Sequence, residues 1–132
     1  MGDVEHPNAQ AVRRLAEAFK AGDIAAIEAA IGPEAVWHFP GGSLISGDHH
    51  GRDGILGFLA RIVGLSEGTF TFDVIDVLAS DQRAALLFRG RGERDGRTLD
   101  NPTCLVVTFE DGLARELHEY VWDLHHVEGF WA

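Results

Sequence analysis

Residues 69–80, Thr-Phe-Thr-Phe-Asp-Val-Ile-Asp-Val-Leu-Ala-Ser (TFTFDVIDVLAS), mark a change in the texture of the chain. Before Gly68 the apolar residues recur every three or four positions; from here they alternate. Phe70, Phe72 and Val74 fall on one face of an extended segment, the pattern of a half-buried strand. The alternation then persists. Asp81-Gln82 is a turn, and RAALLFRGRGER (83–94) is the next strand. Asp95-Gly96 is a hairpin signal, because a tight turn of the right twist needs positive φ at both central residues. RTLDNPTCLVVTF (97–109) returns, interrupted at Pro102. Proline has no N–H to give a ladder, so this position should be an edge, a bulge or a bend. Asp111-Gly112 turns the chain again into LARELHEYVWDL (113–124), the last strand, and HHVEGFWA (125–132) is a short aromatic tail.

Upstream, the spacing predicts a helix over about 8–21, with Val12, Leu15, Ala16 and Phe19 on one side and Arg13, Arg14, Glu17 and Lys20 off it. Gly22 ends it, and Asp23 can cap a second helix. Ile24, Ile27 and Ile31 line that helix, and Gly32-Pro33 stops it. Then comes AVWHFPGG (35–42), read as a buried strand, followed by a loop from Pro40 to Gly51. A third helix starts near Asp53 as N-cap, presents Ile55, Phe58, Leu59 and Ile62 to a core, and ends at Gly64. Helices followed by a run of strands indicate an α+β fold. Long antiparallel strands twist and curl, and the helices cover only one face. The expected form is a curved antiparallel or mixed sheet, a half-open cone covered by about three N-terminal helices. With no repeat or linker, the 132 residues read as one domain, 1–132.

Composition excludes several roles. The formal charge of −10 argues against a nucleic-acid partner and against an anionic membrane surface. Cys104 is the sole cysteine, so neither an intrachain disulfide nor a thiolate metal site forms. The first residues, MGDVEHPNAQ, do not read as a secretory signal, and no apolar run is long enough to span a bilayer, so a cytoplasmic location is the expectation. No phosphate-binding loop or serine elbow is present, and the pattern calls for no cofactor.

The order and spacing of these segments resemble the SnoaL-like branch of the nuclear transport factor 2-like superfamily, which also holds ketosteroid isomerase, scytalone dehydratase and limonene epoxide hydrolase. The residues that carry the resemblance are AVRRLAEAFKAGD, AVWHFPGG, HGRDGILGFLARI, DGRTLDNPTCLVV and DGLARELHEYVWD…FW. It implies a cystatin-like α+β roll with a deep apolar pocket inside the cone, and a homodimer formed through the outer face of the sheet. The isomerase pattern does not carry over: Phe39 stands before Pro40 where that enzyme has its base, Leu15 where it has a tyrosine, and Cys104-Leu105 near its second acid. Polyketide cyclases are similar in using an acidic residue near the end of the last strand, where this chain has Asp123. The epoxide hydrolase pattern needs an inward arginine between two aspartates, for which Arg89 and Arg91 are the candidates.

On this reading the catalytic candidates are Asp123 as base, with His38 and Tyr120 as donors. The ligand-binding candidates are Trp37, Phe39, Phe58, Asn101, His118, Glu119 and Trp122. His38 is either a hydrogen-bonded core histidine or a pocket group titrating near neutrality. Alternation puts Val36 and His38 on one face and Trp37 and Phe39 on the other, and leaves open which pair faces inward. The last strand divides likewise: His118, Tyr120 and Trp122 against Glu119, Val121 and Asp123, one set lining the pocket and the other an interface. Asn101 precedes the Pro102 bend, where side chains are re-aimed. His49-His50 and His125-His126 resemble metal ligands, but adjacent strand residues point apart, so no metal is expected. Arg52, near a helix start, is an anion-binding candidate. The function that follows is cofactor-free acid/base chemistry, of cyclase or isomerase type, on a small hydrophobic carbonyl compound. The alternative is a non-catalytic small-molecule binding or accessory protein; epoxide hydrolysis ranks below both.

Overall fold

The computed structural model describes residues 5–132, and these form four helices and six strands. Helix α1 (Pro7–Ala21) and α2 (Ile24–Ala30) lead into β1 (Ile31–Phe39) and the short β2 (Gly47–His50). Helix α3 (Gly51–Leu65) precedes β3 (Thr71–Ala79), β4 (Arg83–Arg94), β5 (Arg97–Glu110) and β6 (Leu113–Val121), and α4 (Leu124–Phe130) ends the chain. The fold is α+β, and its sheet, in the order β2-β1-β6-β5-β4-β3, is mixed and open. All pairs are antiparallel except β1 and β6.

Local chemistry explains most boundaries. His6 caps α1, its Nδ1 accepting from Asn8 N at 3.0 Å, and Pro7 occupies the first turn, where its missing N–H is not needed. Asp23 caps α2 as expected, accepting from Ala26 N at 3.1 Å. Both Asp-Gly pairs make their hairpins: φ is +48° and +74° at Asp95 and Gly96, and +53° and +77° at Asp111 and Gly112. Pro102 stands at the end of the β5–β6 ladder, where its carbonyl accepts from Trp122 N at 2.9 Å. Its missing donor therefore faces the point where β6 stops.

Four expectations are corrected. Ile31, Gly32 and Pro33 belong to β1 rather than to the end of α2, because the β1–β6 register is irregular between Ile31 and Val36 and absorbs the proline. The loop from Pro40 to Gly51 contains β2, an edge strand too short and polar to show alternation. Asp53 lies inside the first turn of α3, whose N-cap is His50 with no side-chain bond. The aromatic tail contains α4, a helix too short to display periodicity; its Phe130 and the following Trp131 are buried.

The core lies between the helices and one face of the sheet. Ile31, Ala35, Trp37 and Phe39 of β1 point into it, as do Leu86 and Phe88 of β4, Leu105 and Val107 of β5, and Leu117 of β6. Phe58 of α3 sits centrally, its ring 5.2 Å from Trp37, 5.7 Å from Phe39 and stacked on His49 at 4.3 Å. Gly90 faces the same side, and a Cβ there would come within 3.3 Å of the Phe70 ring. The missing side chain makes room for that aromatic wall.

Candidate functional site

The inner face of the sheet does not fill completely. Beneath α1 and α3 lies a cavity of about 70 Å³, walled by Val12, Leu15, Ala16 and Phe19 of α1, Leu59 and Ile62 of α3, and Trp37, Phe70, Phe72, Leu86, Phe88, Leu105 and Glu119 of the sheet side. A second space of about 30 Å³ adjoins it, reaching Phe39, Asn101, Thr103, Val121 and Trp131; Glu119 borders both. The register of β1 is thereby settled: Trp37 and Phe39 face the cavities.

Glu119 follows Leu117 on the inward side of β6. It is the one ionisable side chain among the described residues that wall the larger cavity. Glu119 is half-buried and lines both cavities, the larger of them otherwise walled by apolar side chains. Burial raises its pKa from the ordinary 4.5 to about 7; the Trp37 hydrogen bond opposes that rise. Trp37 Nε1 donates to Glu119 Oε1 at 3.0 Å. The site thus holds a carboxyl balanced between its two protonation states near neutral pH, with one oxygen fixed by an indole N–H.

Asn101 is buried and spent on architecture. Its Nδ2 donates to Pro102 O at 2.8 Å and to Thr103 Oγ1 at 3.2 Å, and its Oδ1 accepts from Asp123 N at 3.0 Å. Thr103 Oγ1 accepts from Asn101, and its own proton has no acceptor among the described residues. Thr103 borders the smaller cavity, as Glu119 does.

The three residues expected to catalyse do not meet in a cavity. Asp123 is exposed and caps α4, its Oδ1 accepting from His126 N at 3.0 Å. His38 and Tyr120 lie on the outer face, because strand alternation sends them opposite to Trp37 and Glu119. His118 stacks between them, at 4.3 Å from the His38 ring and 6.3 Å from Tyr120. Tyr120 and Trp122 are exposed, 58% and 84% respectively, so Trp122 touches neither cavity. Phe58 supports Trp37 and Phe39 from behind. Arg89 and Arg91 turn outward to Asp100 and Asp73, so the inward arginine of an epoxide hydrolase site is not among the cavity residues. Arg52 is occupied too, donating to Ile31 O at 2.9 Å. Burial pushes the Cys104 thiol up, away from thiolate character.

What sequence reasoning missed is the helix side of the cavity and the Thr103 hydroxyl. Val12, Leu15, Ala16, Phe19, Leu59 and Ile62 are legible as core-facing positions. Nothing in a periodic pattern says which part of a core is left hollow.

Residues 12–117 match the model of the SnoaL-like domain. The chain is similar to the uncharacterized protein Rv0034 of Mycobacterium tuberculosis, at 31% identity over 92% of this chain and 93% of that one. Among solved structures it is similar to Bal32a, from a soil-derived mobile gene cassette, at 37% identity, covering 96% and 97% of the two chains with a TM-score of 0.92. A protein of unknown function with a cystatin-like fold from Xanthomonas campestris is 27% identical, with 95% and 98% coverage and a TM-score of 0.88. The chain belongs to the SnoaL-like family.

Proposed function

We propose that the cavity binds a small, largely apolar carbonyl compound and that Glu119 moves a proton to or from it, an acid/base reaction of isomerase or cyclase type that needs no cofactor. One observation carries this reading: a lone carboxyl in an apolar cavity, held by Trp37 and poised near pH 7. A general base is most effective when its pKa lies near the working pH, and a positioned one contributes about 10²–10⁴-fold in rate. Trp37 fixes Oε1 and leaves the second oxygen to take the proton. The Thr103 hydroxyl supplies a donor for the oxygen that gains charge as a carbon beside the carbonyl is deprotonated. Trp37, Phe39 and the phenylalanines around them exclude water and set the substrate's apolar character. At about 15 Å³ per water-sized group, 70 Å³ holds roughly five of them, so the substrate is small or α1 and α3 part to admit it. The outer face, with Tyr120 and Trp122 exposed, is the proposed contact with a second copy of the chain.

The test is deuterium uptake from D₂O at the carbon beside the carbonyl of small cyclic ketones, followed by NMR. The wild type should accelerate uptake, with a rate that rises through pH 7 as Glu119 ionises, and Glu119→Gln should abolish the acceleration. Ketone binding with equal uptake in both proteins would make the cavity a binding site and not a catalytic one.

A further inference from the structure

The outer face of the sheet carries a second cluster that the proposed chemistry does not use. Strands β1 and β6 are parallel here and His38 lies directly beside His118, with Glu116 two residues earlier on the same face. One donor atom from each of His38, Glu116 and His118 lies within 4.8 Å of the other two, and all three side chains are half-buried. Ligands sharing one Zn²⁺ at about 2.0–2.2 Å lie no more than about 4.4 Å apart. Closing that difference requires the side chains to move, since the His118 ring lies stacked on His38 at 16°.

Two further observations separate this cluster from a chance grouping of polar residues. His38 Nδ1 donates to Asp48 Oδ1 at 2.6 Å, which places the proton on Nδ1 and the lone pair of the neutral ring on Nε2. That Nε2 is buried and has no hydrogen-bond partner, the only such buried side-chain atom among the described residues. Its nearest carboxylate oxygen, Glu116 Oε1, is 3.7 Å away, too far for a hydrogen bond. A carboxylate on the far nitrogen of an imidazole is the arrangement that orients ligating histidines.

We propose that His38 Nε2, His118 and Glu116 bind a divalent transition-metal ion of the Zn²⁺ class, with Asp48 orienting His38 and the fourth position left to water. Two imidazoles and one carboxylate suit such an ion, whereas Mg²⁺ and Ca²⁺ favour oxygen ligands throughout. Glu116 and Asp48 together offset its charge. The ion would clip β1, and through it the edge strand β2, to β6. That is the one parallel junction of the sheet, and parallel pairing is slightly the weaker kind.

The experiment is a calorimetric titration of the whole chelator-stripped protein with ZnCl₂, repeated with Co²⁺ to read the ligand-field spectrum. Saturable uptake of one ion per chain is expected, with Co²⁺ bands typical of mixed nitrogen and oxygen ligands. His38→Ala and His118→Ala should each weaken binding by about 100-fold or more, and Asp48→Asn by about 10-fold with stoichiometry kept. His125→Ala, at an exposed histidine on α4, should bind as the wild type does. Absence of saturable uptake by the wild type would overturn the proposal, and so would uptake that survives in folded His118→Ala.

Discussion

Replacing Glu119 by glutamine tests the buried carboxyl without reference to any substrate. Glutamine keeps the shape and an acceptor for Trp37 Nε1, and cannot ionise. The sign follows from linkage. Because the folded-state pKa lies above the unfolded one, the folded protein holds a proton that the unfolded chain releases as pH rises. Below about pH 4.5 both states are protonated and the carboxyl costs nothing through ionisation. The cost grows between pH 4.5 and about 7, then levels off at about 3 kcal/mol, since each pKa unit corresponds to about 1.4 kcal/mol. The assay is urea unfolding of both proteins at fixed protein concentration between pH 5 and 8.5, read as the difference between them at each pH. Subtraction removes the background titration of the other charged groups, and the new amide donor adds only a constant offset. The stability of Glu119→Gln relative to wild type should therefore rise with pH by about 2–3 kcal/mol across that range. A flat difference would mean that Glu119 is ionised throughout and well solvated, and the reasoning behind the proposed base would fail.

Trp37→Phe should move the Glu119 carboxyl above its present value of about 7, because the indole N–H favours the ionised form. Carboxyl ¹³C NMR reads this directly, and an unchanged midpoint would show that the hydrogen bond does not hold in solution. Asp123→Ala should cost about 1 kcal/mol through loss of the α4 cap and leave deuterium uptake untouched. Loss of uptake in that variant would return the catalytic role to Asp123.

The fold was legible wherever one face of an element is buried and the other wet. The alternation after Gly68 and the two Asp-Gly turns place β3 to β6 in order, because period and turn chemistry are local properties. β2 and α4 escaped for the opposite reason: four and seven residues are too few to display a period. The site was legible only as two alternatives. Alternation divides β1 into Trp37-Phe39 and Val36-His38, and β6 into Glu119-Val121 and His118-Tyr120, but which set faces inward depends on where the helices pack. Asp123 became the candidate base through the resemblance to polyketide cyclases, on a last strand carried past Val121. The strand stops there, and the chain turns into α4 with Asp123 as its cap.

Alternation also explains how one strand carries two chemistries. Along β6 the outward residues Glu116, His118 and Tyr120 interleave with the inward Leu117, Glu119 and Val121, so neighbours in sequence occupy opposite sides of the sheet. The inward carboxyl is the one that burial alters, and at neutral pH it weakens the fold. Some 3 kcal/mol is a large fraction of the roughly 5–15 kcal/mol by which a domain of this kind is stable. The Trp37 N–H does not require that cost, since a neutral amide oxygen would accept its hydrogen bond equally well. Nor does packing require it, since a methionine would fill similar space without a polar atom. A carboxyl at position 119 supplies one property that those substitutes lack, a proton exchangeable near pH 7 inside a water-poor cavity. The physical case for chemistry at Glu119 rests on that difference.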